Sequence, residues 1–454
     1  MATKKLKLLV LSHTSELLGG AERSLLDVFD ALGAKYPVEP EFILREPLKS
    51  LAGALKSRGW SYHKLRYTFW SDGNPPRVTE DIWRQALQNS QAVKAIERLI
   101  QRIKPDVIIT NTLISPWAAL AAHWQQMPHI WFVREYGDLD HGRVFEIGRQ
   151  PTLTDIGQLS NLVVANSETM AGYLAKYIEP AKITTLYNPF DLNKLAEQAK
   201  VKVKTPFKYP DSLKLIITSN IARTKGQLEA VKAAGQLHRQ GLSVELCLMG
   251  RGEQPLIDEI RALAKHYAIG DRVHLTGLRP NALAYVALAD VGIVASRREG
   301  FGRTTFEYLA IGKPVLGANS GATPEIVRPG CGLLFKPGDA ASLAVAMAKY
   351  AKDRTLVTKQ GAAARRRAQA MMAGEHNIDR LYERLVEVAA GRGPGKLPPL
   401  NFAHRWLDYT EIADQFIRES GQTSLYRTAR LRLRQKAKGV YYRGRGMKAK
   451  LTGK

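Results

Sequence analysis

Two glutamates eight residues apart, Glu299 and Glu307, enclose a glycine-rich turn in the segment 296–325, SRREGFGRTTFEYLAIGKPVLGANSGATPE. The apolar run 291–294 ahead of them has strand character, and the stretch after Gly302 reads as a helix ended by Gly312 and Pro314. Gly300 and Gly302 allow the backbone to come close to a ligand. Thr304 or Thr305 is expected to cap the helix, leaving its free N–H groups and positive dipole end aimed at an anion. With Glu299 in the loop and Glu307 in the first turns, two carboxylates address one cleft from opposite sides of those amides. That chemistry suits a sugar nucleotide.

The wider pattern, EGFG…E…A-x-G-K-P-V…G…PE, resembles the retaining glycosyltransferases of family 4, whose GT-B architecture sets two Rossmann-like domains face to face. The resemblance implies that Glu299 lies beside the donor sugar, in the catalytic machinery, and that Glu307 hydrogen-bonds the nucleotide ribose. Gly300, Phe301, Gly302 and Arg303 would complete the donor-binding loop. Without that context, two glutamates at this spacing are an ordinary loop charge and a solvated helix carboxylate.

Other stretches extend the resemblance. Gly19-Gly20-Ala21-Glu22, after the strand-like run 6–11, is similar to the GGxE start of many family members, where the glycine backbone, Gly20 here, approaches the donor diphosphate or the acceptor. It is not G-x-G-x-x-G, which argues against a nicotinamide cofactor. Near residue 220 the family carries G-R-x-x-x-x-K-G, with its Arg and Lys on the diphosphate. Lys225-Gly226 fits, but Asn220 stands where the arginine should be, so Arg223 or Arg303 is a candidate source of the missing charge. Arg134-Glu135, after the apolar run 130–133, is similar to the W-x-x-R-E segment of polysaccharide-building members and is a candidate acceptor-side or sugar-side pair; a structural ion pair is the alternative. Ser167 reads as a helix cap and His274 as a packed residue. Asp138-Leu139-Asp140-His141 contains a D-x-D that could bind a divalent metal. The resemblance is to the metal-independent architecture, so neither a metal nor a cofactor is expected.

These residues need a scaffold that presents strand ends to a cleft. At 454 residues the chain exceeds one ordinary core, and its 45% hydrophobic and 24% charged content is that of a globular protein. Short apolar runs alternate with helical patterns such as 81–103, which predicts parallel sheets covered on both faces. The expected fold class is therefore α/β: GT-B, two Rossmann-like doubly wound parallel-sheet domains facing a cleft, plus a basic C-terminal tail. The expected division is an acceptor domain over 1–195, a linker over 196–212 rich in Lys and Pro, a nucleotide-sugar donor domain over 213–376, a helix over 377–390 that crosses back onto the first domain, and an extension over 391–454.

Two cysteines, Cys247 and Cys331, make neither a disulfide framework nor a zinc site. The longest apolar candidate for a membrane span, 117–133, is interrupted by His123, Gln125, Gln126, Pro128 and His129, and the N-terminus lacks a signal-peptide cleavage region. A cytoplasmic location follows as an expectation. The formal charge is +25, and after Glu419 the extension carries Arg and Lys but no acid. Such a tail attracts an anionic membrane surface, in preference to nucleic acid, or stays solvated. The expected partners are a nucleotide-sugar donor and a glycan or lipid-linked acceptor. The expected activity is retaining transfer of a hexosyl group. A nucleotide-sugar epimerase and a non-catalytic binding protein of the same fold are the alternatives.

Overall fold

The computed structural model describes residues 5–17, 19–72, 79–145, 147–374 and 377–391. The extension over 392–454, including the basic tail, lies outside the described residues.

In the first half the strands are β1 (Leu6–Ser12), β2 (Val38–Arg45), β3 (Ser61–Leu65), β4 (Ser71–Asp72), β5 (Val107–Asn111), β6 (His129–Val133), β7 (Val144–Phe145), β8 (Leu162–Ala165) and β9 (Ile183–Thr185). Seven of them form a sheet in the order β3-β2-β1-β5-β6-β8-β9, and β4 pairs with β7 in a small antiparallel ribbon. In the second half β10 (Leu213–Thr218), β11 (Val244–Met249), β12 (Val273–Leu275), β13 (Val291–Val294), β14 (Val315–Ala318) and β15 (Gly332–Phe335) form a sheet in the order β12-β11-β10-β13-β14-β15. The ladders of both large sheets are parallel.

Burial on both faces explains the near-continuous apolar strands. In β1, Leu9 and Leu11 join one core while Leu8 and Val10 join the core on the opposite face. In β10, Leu215 and Ile217 serve one face and Ile216 the other. In each sheet the strand order reverses at one place, between β1 and β5 in the first and between β10 and β13 in the second. The loops leaving neighbouring strands diverge there and open a crevice at their carboxyl ends.

The helix Ile378–Ala390 returns to the first sheet. Leu381, Leu385 and Val388 enter its core, Tyr382 stacks on Tyr36 with ring centroids 3.8 Å apart, and Asp379 accepts from Lys35 Nζ at 2.6 Å and Tyr36 Oη at 2.7 Å. The division near residue 195 differs from the sequence reading. The helix Leu192–Ala199 packs through Leu195 into the second core together with Phe207. The segment read as a linker is pinned as well: buried Glu245 accepts from the backbone N–H of Lys208 and Tyr209 and from Ser212 Oγ, and pairs with His274 at 2.7 Å. Its lysines and prolines signal an open connection, but the amides of Lys208 and Tyr209 are spent on one carboxylate. Among the described residues no helix is long and apolar enough to cross a membrane.

Candidate active site

β10 and β13 are neighbours at the second switch point, so the loops that leave them are neighbours too. Arg297 N–H donates to the Thr224 carbonyl at 3.0 Å and ties the loops together. Lys225 Nζ then sits 2.6 Å from Glu299 Oε1, with both side chains largely buried. Burial alone would raise the Glu299 pKa, but the charge and hydrogen bond of Lys225, with a hydrogen bond from Ser296, hold it below the usual carboxylate value. Glu307 goes the other way: burial raises it against the weaker pull of Arg303, whose Nη2 lies 3.8 Å from Glu307 Oε1.

The helix carrying Glu307, Arg303–Ala310, begins one residue before the threonines expected to cap it. Its cap is Gly302, at φ 86°, and no side chain accepts from its first amides. Thr304 donates instead to the Thr218 carbonyl at 3.3 Å, and the buried Thr305 hydroxyl has no partner. The left-handed turn at Gly302 places the threonines inside the helix, and the helix N-terminus stays open toward the cleft.

The first domain presents the carboxyl end of its own switch point. His13 follows β1 directly, and Gly19 precedes the helix Gly20–Lys35, whose N-terminus also lacks a side-chain cap. Glu22 Oε1 lies 3.0 Å from His13 Nδ1 without the alignment of a hydrogen bond, so neither atom is satisfied. Burial drives His13 down to about 3, helped by the charges of Arg143, Arg45 and His141, and drives Glu22 up to about 7. Arg134, after β6, donates through Nε to Asn111 Oδ1 at 2.6 Å and through Nη1 to Asn188 Oδ1 at 2.9 Å, while its buried Nη2 has no partner. Burial lowers Arg134 to about 10, which keeps it charged at neutral pH.

Glu135 does not join Arg134 in an ion pair. It is 8% exposed and accepts from Leu113 N–H at 2.9 Å; burial pushes it up to about 8, so it is largely protonated at pH 7. Adjacent residues leaving a strand end point to opposite sides, which separates the two. Arg223 is engaged by Glu259 at 2.7 Å and stays mostly exposed, so the structure does not bring it to the Lys225–Glu299 pair. In the D-x-D, Asp138 is held by Arg149 and Asp140 accepts from Tyr136 N–H.

The two domains meet around this site. Ser167 accepts from Met170 N–H as a helix cap and donates to the Gly300 carbonyl at 2.6 Å. Glu325 accepts from Glu168 N–H, Thr169 N–H and Thr169 Oγ1, at 2.9, 2.9 and 2.8 Å. Arg303 Nη1 reaches Asp27 at 2.7 Å and Ser24 at 3.0 Å, and its Cδ covers Gly20. Phe301 is buried in the second core. His13, Asp27, Asn111, Asn188 and the cross-domain role of Glu325 are not assigned from the sequence. For His13 the signal is its place at a strand's carboxyl end.

Glu22 carries a pH prediction. Its folded pKa is raised above the unfolded value near 4.5, so the stability of its neutral form is fully present below about pH 4.5 and is lost as pH rises through about 7. Glu22→Gln should match wild type in stability near pH 4.5 and exceed it above pH 7, by about 3 kcal/mol at most, read as a higher melting temperature. Parallel melting curves at every pH would show that Glu22 is not held neutral by the fold.

Residues 18–194 match the family model described as Glycosyltransferase Family 4, and residues 199–367 match Glycosyl transferases group 1. The N-acetyl-alpha-D-glucosaminyl L-malate synthase of Bacillus anthracis is 28% identical over 226 residues, 48% of this chain and 58% of that protein. The GDP-mannose-dependent alpha-(1-6)-phosphatidylinositol monomannoside mannosyltransferase of Mycobacterium tuberculosis is 28% identical over 200 residues, 42% of this chain and 50% of that protein. The chain thus spans about half the length of these curated relatives. The crystal structure of Anabaena Alr3699/HepE in complex with UDP and glucose superimposes with a TM-score of 0.63 at 20% identity, over 85% of this chain and 100% of that one, which is a likeness of fold. Two parallel-sheet Rossmann-like domains with facing strand ends define a GT-B protein. The chain belongs to glycosyltransferase family 4.

Proposed function

We propose that the protein is a retaining glycosyltransferase that moves a hexosyl group from a nucleoside diphosphate sugar to a hydroxyl of a glycan or lipid-linked acceptor, in polysaccharide or glycoconjugate assembly. The observation that carries this reading is the Lys225–Glu299 pair, set beside the open helix N-terminus at Arg303 and facing the carboxyl end of the other sheet. Rupture of the anomeric C–O bond leaves positive charge on the sugar and negative charge on the diphosphate. Lys225, the helix amides after Gly302 and the backbone at Gly20 stabilise the departing diphosphate. Arg303 supplies a further cation once it leaves Asp27. Glu299, kept ionised, faces the sugar; Glu307 takes the ribose hydroxyls. The acceptor proton passes to a departing phosphate oxygen on the face the leaving group vacates, and the anomeric configuration is retained.

In this reading Arg134 stands on the acceptor side, Glu135 is a neutral carboxyl behind it, and Arg223 contributes only if it leaves Glu259. No metal or cofactor is assigned a step. We place the reaction on the cytoplasmic side, with the basic extension against an anionic membrane surface. The relatives' names specify different sugars, N-acetylglucosamine and mannose, so the nucleotide is identified by experiment. A thermal-shift panel of UDP, GDP, ADP, TDP and their sugar conjugates should show one nucleotide family raising the melting temperature, with the rise abolished in Glu307→Ala. No shift with any nucleotide would sink the donor site. The anomeric configuration of the product, read by NMR, decides retention.

A further inference from the structure

At the carboxyl end of the first sheet two arginines lie against one aromatic ring. Arg45, the last residue of β2, has its guanidinium carbon 4.8 Å from the centre of the Phe69 ring, and Arg143, just before β7, has its own 5.6 Å from the same ring. Backbone carbonyls orient both: Arg45 Nε donates to Tyr67 O at 2.8 Å, and Arg143 Nη1 to Ser71 O at 3.4 Å. A carbonyl fixes a guanidinium without cancelling its charge. Among the described residues neither arginine has a carboxylate at ion-pair distance. Glu46, next to Arg45, is paired with Arg66, and Glu135, within electrostatic reach of Arg143, is held largely protonated by burial.

The ring of His13 lies 6.3 Å from that of Phe69 and is kept neutral by burial and by the surrounding cations. Arg143 N–H donates to the Gly137 carbonyl at 3.3 Å, and the ring of neighbouring Tyr136 lies 5.1 Å from the guanidinium carbon of Arg298, the residue before Glu299, which connects the patch to the loop that carries the carboxylate assigned to the sugar. Two half-buried cations held on one ring raise each other's electrostatic energy, and an anion bound at either guanidinium lowers it. Phe69 holds both guanidiniums by cation–π contact and so fixes where their free N–H groups lie.

We propose that Arg45, Arg143 and Phe69 form an acceptor subsite for a carboxylate or phosphate group carried on the acceptor sugar, which fixes the acceptor hydroxyl beside Glu299. This rests on the transferase reading above and adds the class of acceptor: an anionic sugar.

The test is calorimetric titration of the full chain with glucuronate, glucose 6-phosphate, methyl glucoside and inorganic phosphate, with and without the nucleotide that the thermal panel identifies. At least one anionic sugar should bind tenfold or more tighter than methyl glucoside and tighter than inorganic phosphate. Which one does so separates a sugar acid from a sugar phosphate. Arg45→Met and Arg143→Met should each weaken that binding about tenfold or more, with Arg45→Lys and Arg143→Lys intermediate, and nucleotide affinity unchanged in all four as evidence of intact folding. Equal binding of methyl glucoside, inorganic phosphate as tight as the sugar anions, full anion affinity in the Met variants, or no anion binding to wild type would each overturn the subsite. If no nucleotide binds but anion binding depends on Arg45 and Arg143, the transferase reading falls, the acceptor assignment falls with it, and the two arginines remain a site for a sugar anion. If a nucleotide binds and no sugar anion does, the subsite falls alone.

Discussion

Replacing Lys225 with methionine should lower kcat by about a hundredfold or more, measured with the donor that the nucleotide panel identifies. Two losses combine. The diphosphate gives up a cation placed in a largely buried site, where solvent screens it little. Glu299 gives up the partner that keeps it ionised, and burial then governs its pKa and raises it. The second loss has its own signature. A folded-state pKa held below the usual value keeps the carboxylate charged as pH falls, so the acid limb of the wild-type rate profile lies low; in Lys225→Met that limb should move to higher pH. Lys225→Arg preserves the charge and should keep the limb in place even if kcat falls. A variant with near-normal kcat and an unmoved acid limb would mean that Lys225 only packs the loop.

The parts of this arrangement legible in the sequence are those built from local signals. The run 244–249 and the helix 81–103 announce themselves by composition and period, and the EGFG turn by residue type and spacing together. β14 is different: four residues, Val315–Ala318, lie between Pro314 and the turn at Ser320, too short and too poor in β-branched residues to be separated from the motif around them. The cap of the helix Arg303–Ala310 is misread for a related reason. A threonine near a helix start is a good cap in general, but here Gly302 adopts a left-handed turn that no side chain at 304 or 305 can replace.

Partners from distant parts of the chain are illegible in another way. Arg303 is recognisable as a charge beside the loop, whereas its pairing with Asp27 joins residues 276 apart and depends on how the domains meet. Arg223 has the right charge and nearly the right spacing to replace the arginine missing at Asn220, yet Glu259, on a helix that follows another strand, holds it. Glu135 shows the same limit: its type suggests an ion pair with Arg134, and only its burial, which outweighs the opposing hydrogen bond from the Leu113 amide, reveals a carboxyl pushed up to about 8.

Gly300→Ala should cost about a hundredfold in kcat/KM with little change in melting temperature, since shifting reacting groups by about 1 Å is enough for that loss. A methyl group built on Gly300 would lie 2.3 Å from the Arg134 carbonyl oxygen, 3.1 Å from its carbon and 3.3 Å from Asn166 Nδ2. The closest atom is backbone at the end of β6, held by the sheet and by Asn166, so it cannot rotate away as a side chain would. The loop and the strand end must part, which stretches the 2.6 Å bond from Ser167 to the Gly300 carbonyl and carries Glu299 away from the first domain. The three nearest atoms belong to Arg134 and Asn166 and not to a hydrophobic core, so the penalty falls on domain closure. Gly172→Ala is the matched control: it lies in the helix Glu168–Leu174, and its added methyl group meets nothing within 4 Å. Small-angle scattering with the nucleotide bound should show Gly300→Ala more open than both wild type and Gly172→Ala. Wild-type turnover by Gly300→Ala would mean that the contact between Gly300 and the Arg134 carbonyl is not part of the catalytic state.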